Sequence, residues 1–345
     1  MEQVKTEFGK TQLVEDELTV NEAISELKEY KLRNDNLIAV DSEGISLSRK
    51  GKLTVLIIAT REKVYVFDVL KVGQSIFESG LREILEDSKY EKLMFDCRQD
   101  ADALWHQFNI KLAGVVDLQL LEVMQRRESP SDFSRSKSST KRRFYRRRSQ
   151  NTENIKKVYG YRNCLELYVK DEKMIAVKDD GVKLFTSNIL AWTKRPLPEK
   201  LIRYCAVDTM GMFKLHEAFK SMLSISEKAR LKIASDKYTD YYREKKERVF
   251  NEYETNSYLP LDVIPEKGTQ SFPYAGTTCT KCDRKFPQEE FSVTQLRKGE
   301  QKCRVCKEIK HVNDVQKNRE DNWARDEEYE NSIYISDGEG EFCFL

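Results

Sequence analysis

Four acids and one tyrosine carry the pattern most capable of chemistry in this chain. Asp41 and Glu43 stand in AVDSEG, at the end of the apolar run Leu37-Ile38-Ala39-Val40. That run reads as a buried strand, and strand side chains alternate faces, so Asp41 and Glu43 point the same way. Asp100 follows the strand-like segment KLMFDC (92–97), while Tyr204 and Asp208 lie four residues apart in YCAVD, on one face of a helix. Unpaired buried carboxylates are costly. Mg²⁺ and Mn²⁺ choose carboxylate oxygens, so convergence of these residues on a pair of such ions would answer that cost. Each residue also has a plainer role open to it: a strand-end acid for Asp41, a packed aromatic for Tyr204 and a helix N-cap for Asp100, with Asp96 as a competing acid.

A second group is metallic in another sense. Cys279 and Cys282 form one CxxC pair, and Cys303 and Cys306 form another after twenty intervening residues, whereas Cys97, Cys164, Cys205 and Cys343 are scattered. Four thiolates close a tetrahedron around Zn²⁺ and leave no open position, which points to one structural zinc rather than a catalytic one. His311 is an alternative ligand. The segment has little apolar matter, so the metal would supply its folding energy.

The third group is the run Lys141, Arg142, Arg143, Phe144, Tyr145, Arg146, Arg147 and Arg148. Its cations suit phosphates and its aromatics suit unpaired bases. A solvated loop or a nuclear-import signal fits the same residues.

The elements that must position these groups follow from periodicity. Residues 19–31 space Ala23, Ile24, Leu27 and Tyr30 like one helical face, with Thr19 or Asn21 as the cap. LIAVDSEG, KLTVLIIAT and KVYVFDVL then read as a strand meander, with FESGLREILE helical, KLMFDC a strand, DADALWHQF helical and GVVDLQLLEVM apolar. Residues 126–157 are rich in Ser, Arg and Lys and read as an insertion in the fold. A long amphipathic helix starts at Pro198 and places Leu201, Cys205, Met212 and Leu215 on its apolar side. His106 and His216 fall in helical stretches and read as structural. Strands first in hairpins and then alternating with helices give an α/β domain with a mixed sheet.

The order D41-S-E43, D100, Y204-C-A-V-D208 resembles the three motifs of the DEDD exonuclease superfamily in its tyrosine branch, which includes RNase D, Werner-type exonuclease domains and 3′-to-5′ exonuclease-domain-containing proteins. The flanking text LMFDCRQDADALWHQFNIKL and WTKRPLPEKLIRYCAVD supports the likeness, which covers roughly residues 18–222. It implies an RNase H-like mixed five-stranded sheet flanked by helices. It also implies that Asp41, Glu43 and Asp208 hold one of two Mg²⁺ or Mn²⁺ ions, that Asp41 and Asp100 help to hold the other, and that Tyr204 orients the attacking water.

The expected organisation is an N-terminal extension (1–17), an exonuclease domain (18–225), a charged helix running to about residue 254 with a linker to 274, a zinc-ribbon-like or treble-clef-like module (275–312), and an acidic flexible tail (313–345). The expected activity is 3′-to-5′ hydrolysis of single-stranded RNA, more than DNA, from a free 3′ end, releasing nucleoside 5′-monophosphates. An alternative is an inactive exonuclease-fold protein that binds nucleic acid as a scaffold in an RNA-processing or silencing complex. The zinc module or acidic tail could also dock a protein partner. No run of about 18 apolar residues and no signal-peptide core occurs, so an intracellular protein of nucleus or cytoplasm, without membrane association, is expected.

Overall fold

The computed structural model describes residues 3–6, 8–33, 36–128, 156–220 and 223–336. The basic run Lys141–Arg148 and Cys343 lie outside them. The chain divides into two compact units, one holding the sheet and its helices through Arg248 together with residues 261–272, the other holding residues 249–260 and the chain from Pro273 onward.

The centre of the first unit is the strand Lys52–Ala59 (β4), buried at every position but its first. A continuous apolar run of this kind belongs to a strand covered on both faces. Around it the sheet has the order β1-β2-β5-β4-β3-β6-β7, formed by Gln3–Thr6 (β1), Gly9–Val14 (β2), Leu37–Ile45 (β3), Lys63–Phe67 (β5), Glu91–Met94 (β6) and Val115–Asp117 (β7). β3 runs antiparallel to β4 and parallel to β6, so the sheet is mixed as expected. It is wider than five strands. β2, from the expected N-terminal extension, pairs in parallel with β5 and brings β1 with it as a hairpin.

The helix Glu17–Leu32 (α1) buries Val20, Ala23, Ile24, Leu27 and Tyr30. Its cap is Asp16 rather than Thr19 or Asn21, since the Asp16 carboxylate accepts from the Thr19 amide at 2.8 Å. Four further helices matter for the site: Arg98–Phe108 (α2), Leu118–Glu128 (α3), Glu172–Ser187 (α4) and Glu199–Phe219 (α5). α5 follows Pro198 as expected, buries Leu201, Cys205, Met212 and Leu215, and packs along β3, β4 and β5. The next helix, Ile225–Arg243 (α6), packs on α2 and ends at Arg243, short of the expected position 254.

In the second unit the hairpin Thr277–Thr278 (β8) and Lys285–Phe286 (β9) precedes two helices, Val293–Lys298 (α7) and Arg304–Ser336 (α8). α8 carries helical structure through most of the segment expected to be a flexible tail. From Lys310 to Glu328 its residues are exposed apart from Val315, and it is supported by local pairs such as Lys310–Asp314 at 2.8 Å. Among the described residues, no helix is long and apolar enough to cross a membrane.

Candidate active site

β3 delivers two of the acids and α5 the third. One carboxylate oxygen from each of Asp41, Glu43 and Asp208 lies within 4.8 Å of the others. The strand bulges between Glu43 and Gly44, where the pairing with β4 slips by one residue. Gly44 is required there, because a Cβ would fall 2.0 Å from the Lys52 carbonyl oxygen. Such bulges re-aim neighbouring side chains.

Tyr204 stands one turn before Asp208, with its ring 5.6 Å from that of Phe185 and 6.0 Å from that of Trp192. Its other side lies against Gly181 of α4, where an added Cβ would come within 2.4 Å of the ring. Arg195, in the approach WTKRPL, forms an ion pair with Asp68 at the end of β5 and donates to the Trp192 carbonyl at 3.1 Å. That motif therefore anchors the start of α5 to the sheet.

Asp100 is the third residue of α2, buried to 7% exposure, and stands outside the group of three. Its charge nevertheless acts on Asp41. The competing acid Asp96 is occupied: its two oxygens accept from Arg98 at 2.5 and 2.6 Å. Another strand-end acid, Asp117, is taken by the amides of Cys97, Gln119 and Leu120 and serves as a structural cap. His106 meets the Arg243 carbonyl at 3.2 Å, in keeping with a structural role.

Burial dominates the electrostatics. It lifts the Asp41 carboxyl well above the usual carboxylate range, and the charges of Asp100 and Asp208 lift it further while Lys178 opposes them. Glu43 is raised for the same reason, first by burial and then by Asp41 and Asp208. Asp100 is pushed up to about 7, mainly by burial, against a smaller opposing effect of the Ser42 hydroxyl. Tyr204 is raised as well, by burial and then Asp208, so its hydroxyl stays protonated.

Divalent ions fit this cluster. The donors are all hard oxygens, and one buried oxygen of Asp100, Oδ1, accepts no hydrogen bond from the protein. Raised carboxyl groups of this kind are what an added positive charge would relieve.

Sequence periodicity does not announce Lys178. It lies on α4 at 7% exposure, and its Nζ donates to both oxygens of Asp208 at 2.7 and 2.8 Å and to the Tyr204 hydroxyl at 3.2 Å. A lysine in EKMIAVKDDGVKLFTS reads as a solvated cation; the only clue is a glycine one turn later, which permits close helix packing.

The second unit gathers its four cysteines as expected. Sulfur atoms of Cys279, Cys282, Cys303 and Cys306 lie within 4.8 Å of one another, with the Cys303 amide donating to the Cys279 Sγ at 3.3 Å. The first pair sits in the β8–β9 hairpin and the second at the start of α8. Four thiols at this distance could bind zinc.

Residues 11–133 match a family model described as 3'-5' exonuclease, a span that includes Asp41, Glu43 and Asp100 but stops before Tyr204. The mouse piRNA biogenesis protein EXD1 is 29% identical over 213 residues, covering 62% of this chain and 33% of that protein. Its Bombyx mori counterpart is 38% identical over 89 residues, covering 26% of this chain and 28% of that protein. The chain thus spans between 18% and 33% of the length of the curated relatives it matches. Among solved structures, Trypanosoma brucei RNase D in complex with GMP superposes with a TM-score of 0.55 at 20% identity, covering 70% of this chain and 67% of that one. The fold is RNase D-like, and the resemblance to DEDD exonucleases read from the motifs is borne out by the family match.

Proposed function

We propose that this protein is a divalent-metal-dependent 3′-to-5′ exonuclease that hydrolyses RNA in preference to DNA and releases nucleoside 5′-monophosphates. The observation that carries the reading is the meeting of Asp41, Glu43 and Asp208 within 4.8 Å, with Tyr204 one helical turn from Asp208. In this reading Asp41, Glu43, Asp208 and Asp100 hold Mg²⁺ or Mn²⁺, which when bound stabilises charge on the attacking and leaving oxygens. Tyr204 orients the water that attacks the terminal phosphodiester. Its ring is fixed by Phe185, Trp192 and Gly181, and its protonated hydroxyl can donate to that water. The 3′ oxygen of the preceding nucleotide leaves and takes up a proton.

The preference for RNA is supported by the relatives named for piRNA biogenesis and by the RNase D-like fold. Lys141–Arg148 would contact the single strand through phosphates and stacked bases. The cysteines would hold one structural Zn²⁺, and the zinc module or the acidic end of the chain would be the surface offered to a protein partner.

A second reading, a nucleic-acid-binding scaffold that does not cut, is favoured by one observation: Lys178 already neutralises Asp208. Product analysis separates the two. Single-stranded RNA incubated with Mn²⁺ should yield nucleoside 5′-monophosphates faster than DNA of the same sequence, and a 3′-phosphorylated RNA should resist. Retained binding with unchanged product length would favour the scaffold.

A further inference from the structure

Lys178 commits its whole hydrogen-bonding capacity to two residues of the candidate site. An ammonium group carries three N–H donors, and the Lys178 Nζ reaches the two oxygens of Asp208 at 2.7 and 2.8 Å and the Tyr204 hydroxyl at 3.2 Å. This is a built environment rather than a surface contact. Lys178 is 7% exposed and Asp208 4%. Gly181, one turn further along α4, lets the helix lie directly on Tyr204, while the Tyr161 hydroxyl donates to the Asp208 carbonyl at 2.6 Å and fixes that turn of α5. Tyr204 and Tyr161 also present their rings to the ammonium, with centroids 4.6 and 4.8 Å from Nζ.

Asp208 belongs at the same time to the trio whose carboxylate oxygens meet within 4.8 Å. The lysine serves all three acids, because its charge opposes the burial that raises Asp41 and Glu43. A divalent ion held by Asp41, Glu43 and Asp208 draws on an oxygen that the ammonium already engages, and two cations at one carboxylate repel. Lys178 must therefore give way at Asp208 as the ion is taken up. It need not leave the site, since the Tyr204 hydroxyl and the two tyrosine faces remain as a second seat for a cation.

We propose that Lys178 is a tethered counter-ion that competes with the metal for Asp208: it pairs with the acid before metal uptake, then yields it and shifts onto the Tyr204 hydroxyl and the rings of Tyr204 and Tyr161. Asp208 remains a metal ligand, together with Asp41 and Glu43. Lys178 is a positioning residue, acting on the reaction through Asp208 and Tyr204. The inference concerns the same cluster as the exonuclease reading and rests on it for the identity of the ion, but its test measures affinity and does not depend on cleavage.

The experiment is Mn²⁺ titration of the full chain, followed by calorimetry and by the electron-paramagnetic-resonance signal of free Mn²⁺, with the binding that disappears in Asp41→Ala assigned to the cluster. Lys178→Met should bind Mn²⁺ there at least about tenfold more tightly than wild type, the gain expected if Asp208 is free of the ammonium about a tenth of the time. Lys178→Gln, which keeps a hydrogen-bond donor without the charge, should show the same gain and guards against misfolding of the Met variant. In an Asp208→Asn background the same lysine changes should alter the affinity less than about threefold, because the lysine then has no carboxylate to withhold. Unchanged or weaker binding in both lysine variants, no binding in wild type, or an equal gain in the Asp208→Asn background would overturn the proposal. Tighter binding in the lysine variants with no shortening of RNA by any form of the protein would uphold it and defeat the exonuclease reading, whereas RNA shortened by wild type with affinity unchanged in the variants would do the reverse.

Discussion

Gly181 and Tyr204 are in such close contact that the glycine has no room for a side chain: a Cβ would fall 2.4 Å from the ring Cδ2 and 2.8 Å from the tyrosine Cβ. Because one of the obstructing atoms is beside the backbone of α5, a substituent at 181 must push the helices apart or turn the ring.

Gly181→Ala tests the importance of that seat. In an unobstructed helix interior the change would stabilise by about 1 kcal/mol. Here it is expected to lower the melting temperature instead and to reduce nuclease activity by about 10- to 100-fold, since small misplacements of a positioning group cost that much. A more stable variant with full activity would show that the contact does not matter.

Much of the architecture is legible in the sequence, and what is hidden follows a pattern. The run LIAVDSEG reveals its strand because apolar residues fill it up to the acids, and YCAVD reveals a helix face because of its four-residue spacing. The segment 172–187 reveals neither its burial nor its role. Its charges are distributed so that Lys178 looks solvated, and only the approach of α4 to Tyr204, allowed by Gly181, turns that lysine inward. The hairpin β1–β2 is similarly obscure, since GKTQLV is short and half polar and becomes a strand by pairing with β5. The motif text favours Asp100 over Asp96, and the contact of both Asp96 oxygens with Arg98 agrees with that preference.

The acids should make the metal-free protein sensitive to pH in an unusual direction. Burial raises Asp41 and Glu43 and lifts Asp100 from 3.8 to about 7. Over that window the folded state binds more protons than the unfolded chain, so stability falls as pH rises and the cost is complete above the folded value. Thermal melts without divalent ions should therefore show higher stability near about pH 6 than near about pH 8. Asp100→Asn should raise the melting temperature of the metal-free protein at the higher pH, and Mn²⁺ should stabilise wild type there more than the variant. The reverse pH trend in wild type would contradict the assignment.

Asp102 carries a purely structural load. Its carboxylate accepts from the Arg49 side chain at 2.9 and 3.0 Å and from Arg248 at 3.0 Å, with Asp102 and Arg248 side chains fully buried. Burial pushes its carboxyl up, but the Arg49 and Arg248 hydrogen bonds outweigh it and hold it below the usual range. Asp102→Ala removes the one carboxylate shared by two arginines, leaving Arg49 its backbone carbonyls and Arg248 its bond to Gln99, and should destabilise by about 3 kcal/mol, read from denaturant unfolding. A loss below about 1 kcal/mol, the value typical of exposed pairs, would mean that the remaining partners of the two arginines suffice.

The cysteine cluster should behave as an independent staple. Cys279→Ser is expected to release about one Zn²⁺ per chain and to unfold the second unit, seen as lost helical signal from α8, while nuclease activity on naked RNA in Mg²⁺ persists. A chain with no zinc by elemental analysis would remove the metal from the account.

The central claim is that Asp41 and its neighbours still cut. Single-stranded RNA labelled at its 5′ end, incubated with wild type in Mg²⁺ or Mn²⁺, should give a ladder shortened stepwise from the 3′ end, and Asp41→Ala should leave the RNA intact while retaining the fold by circular dichroism. Unshortened RNA with wild type in both metals, or equal shortening by Asp41→Ala, would contradict it.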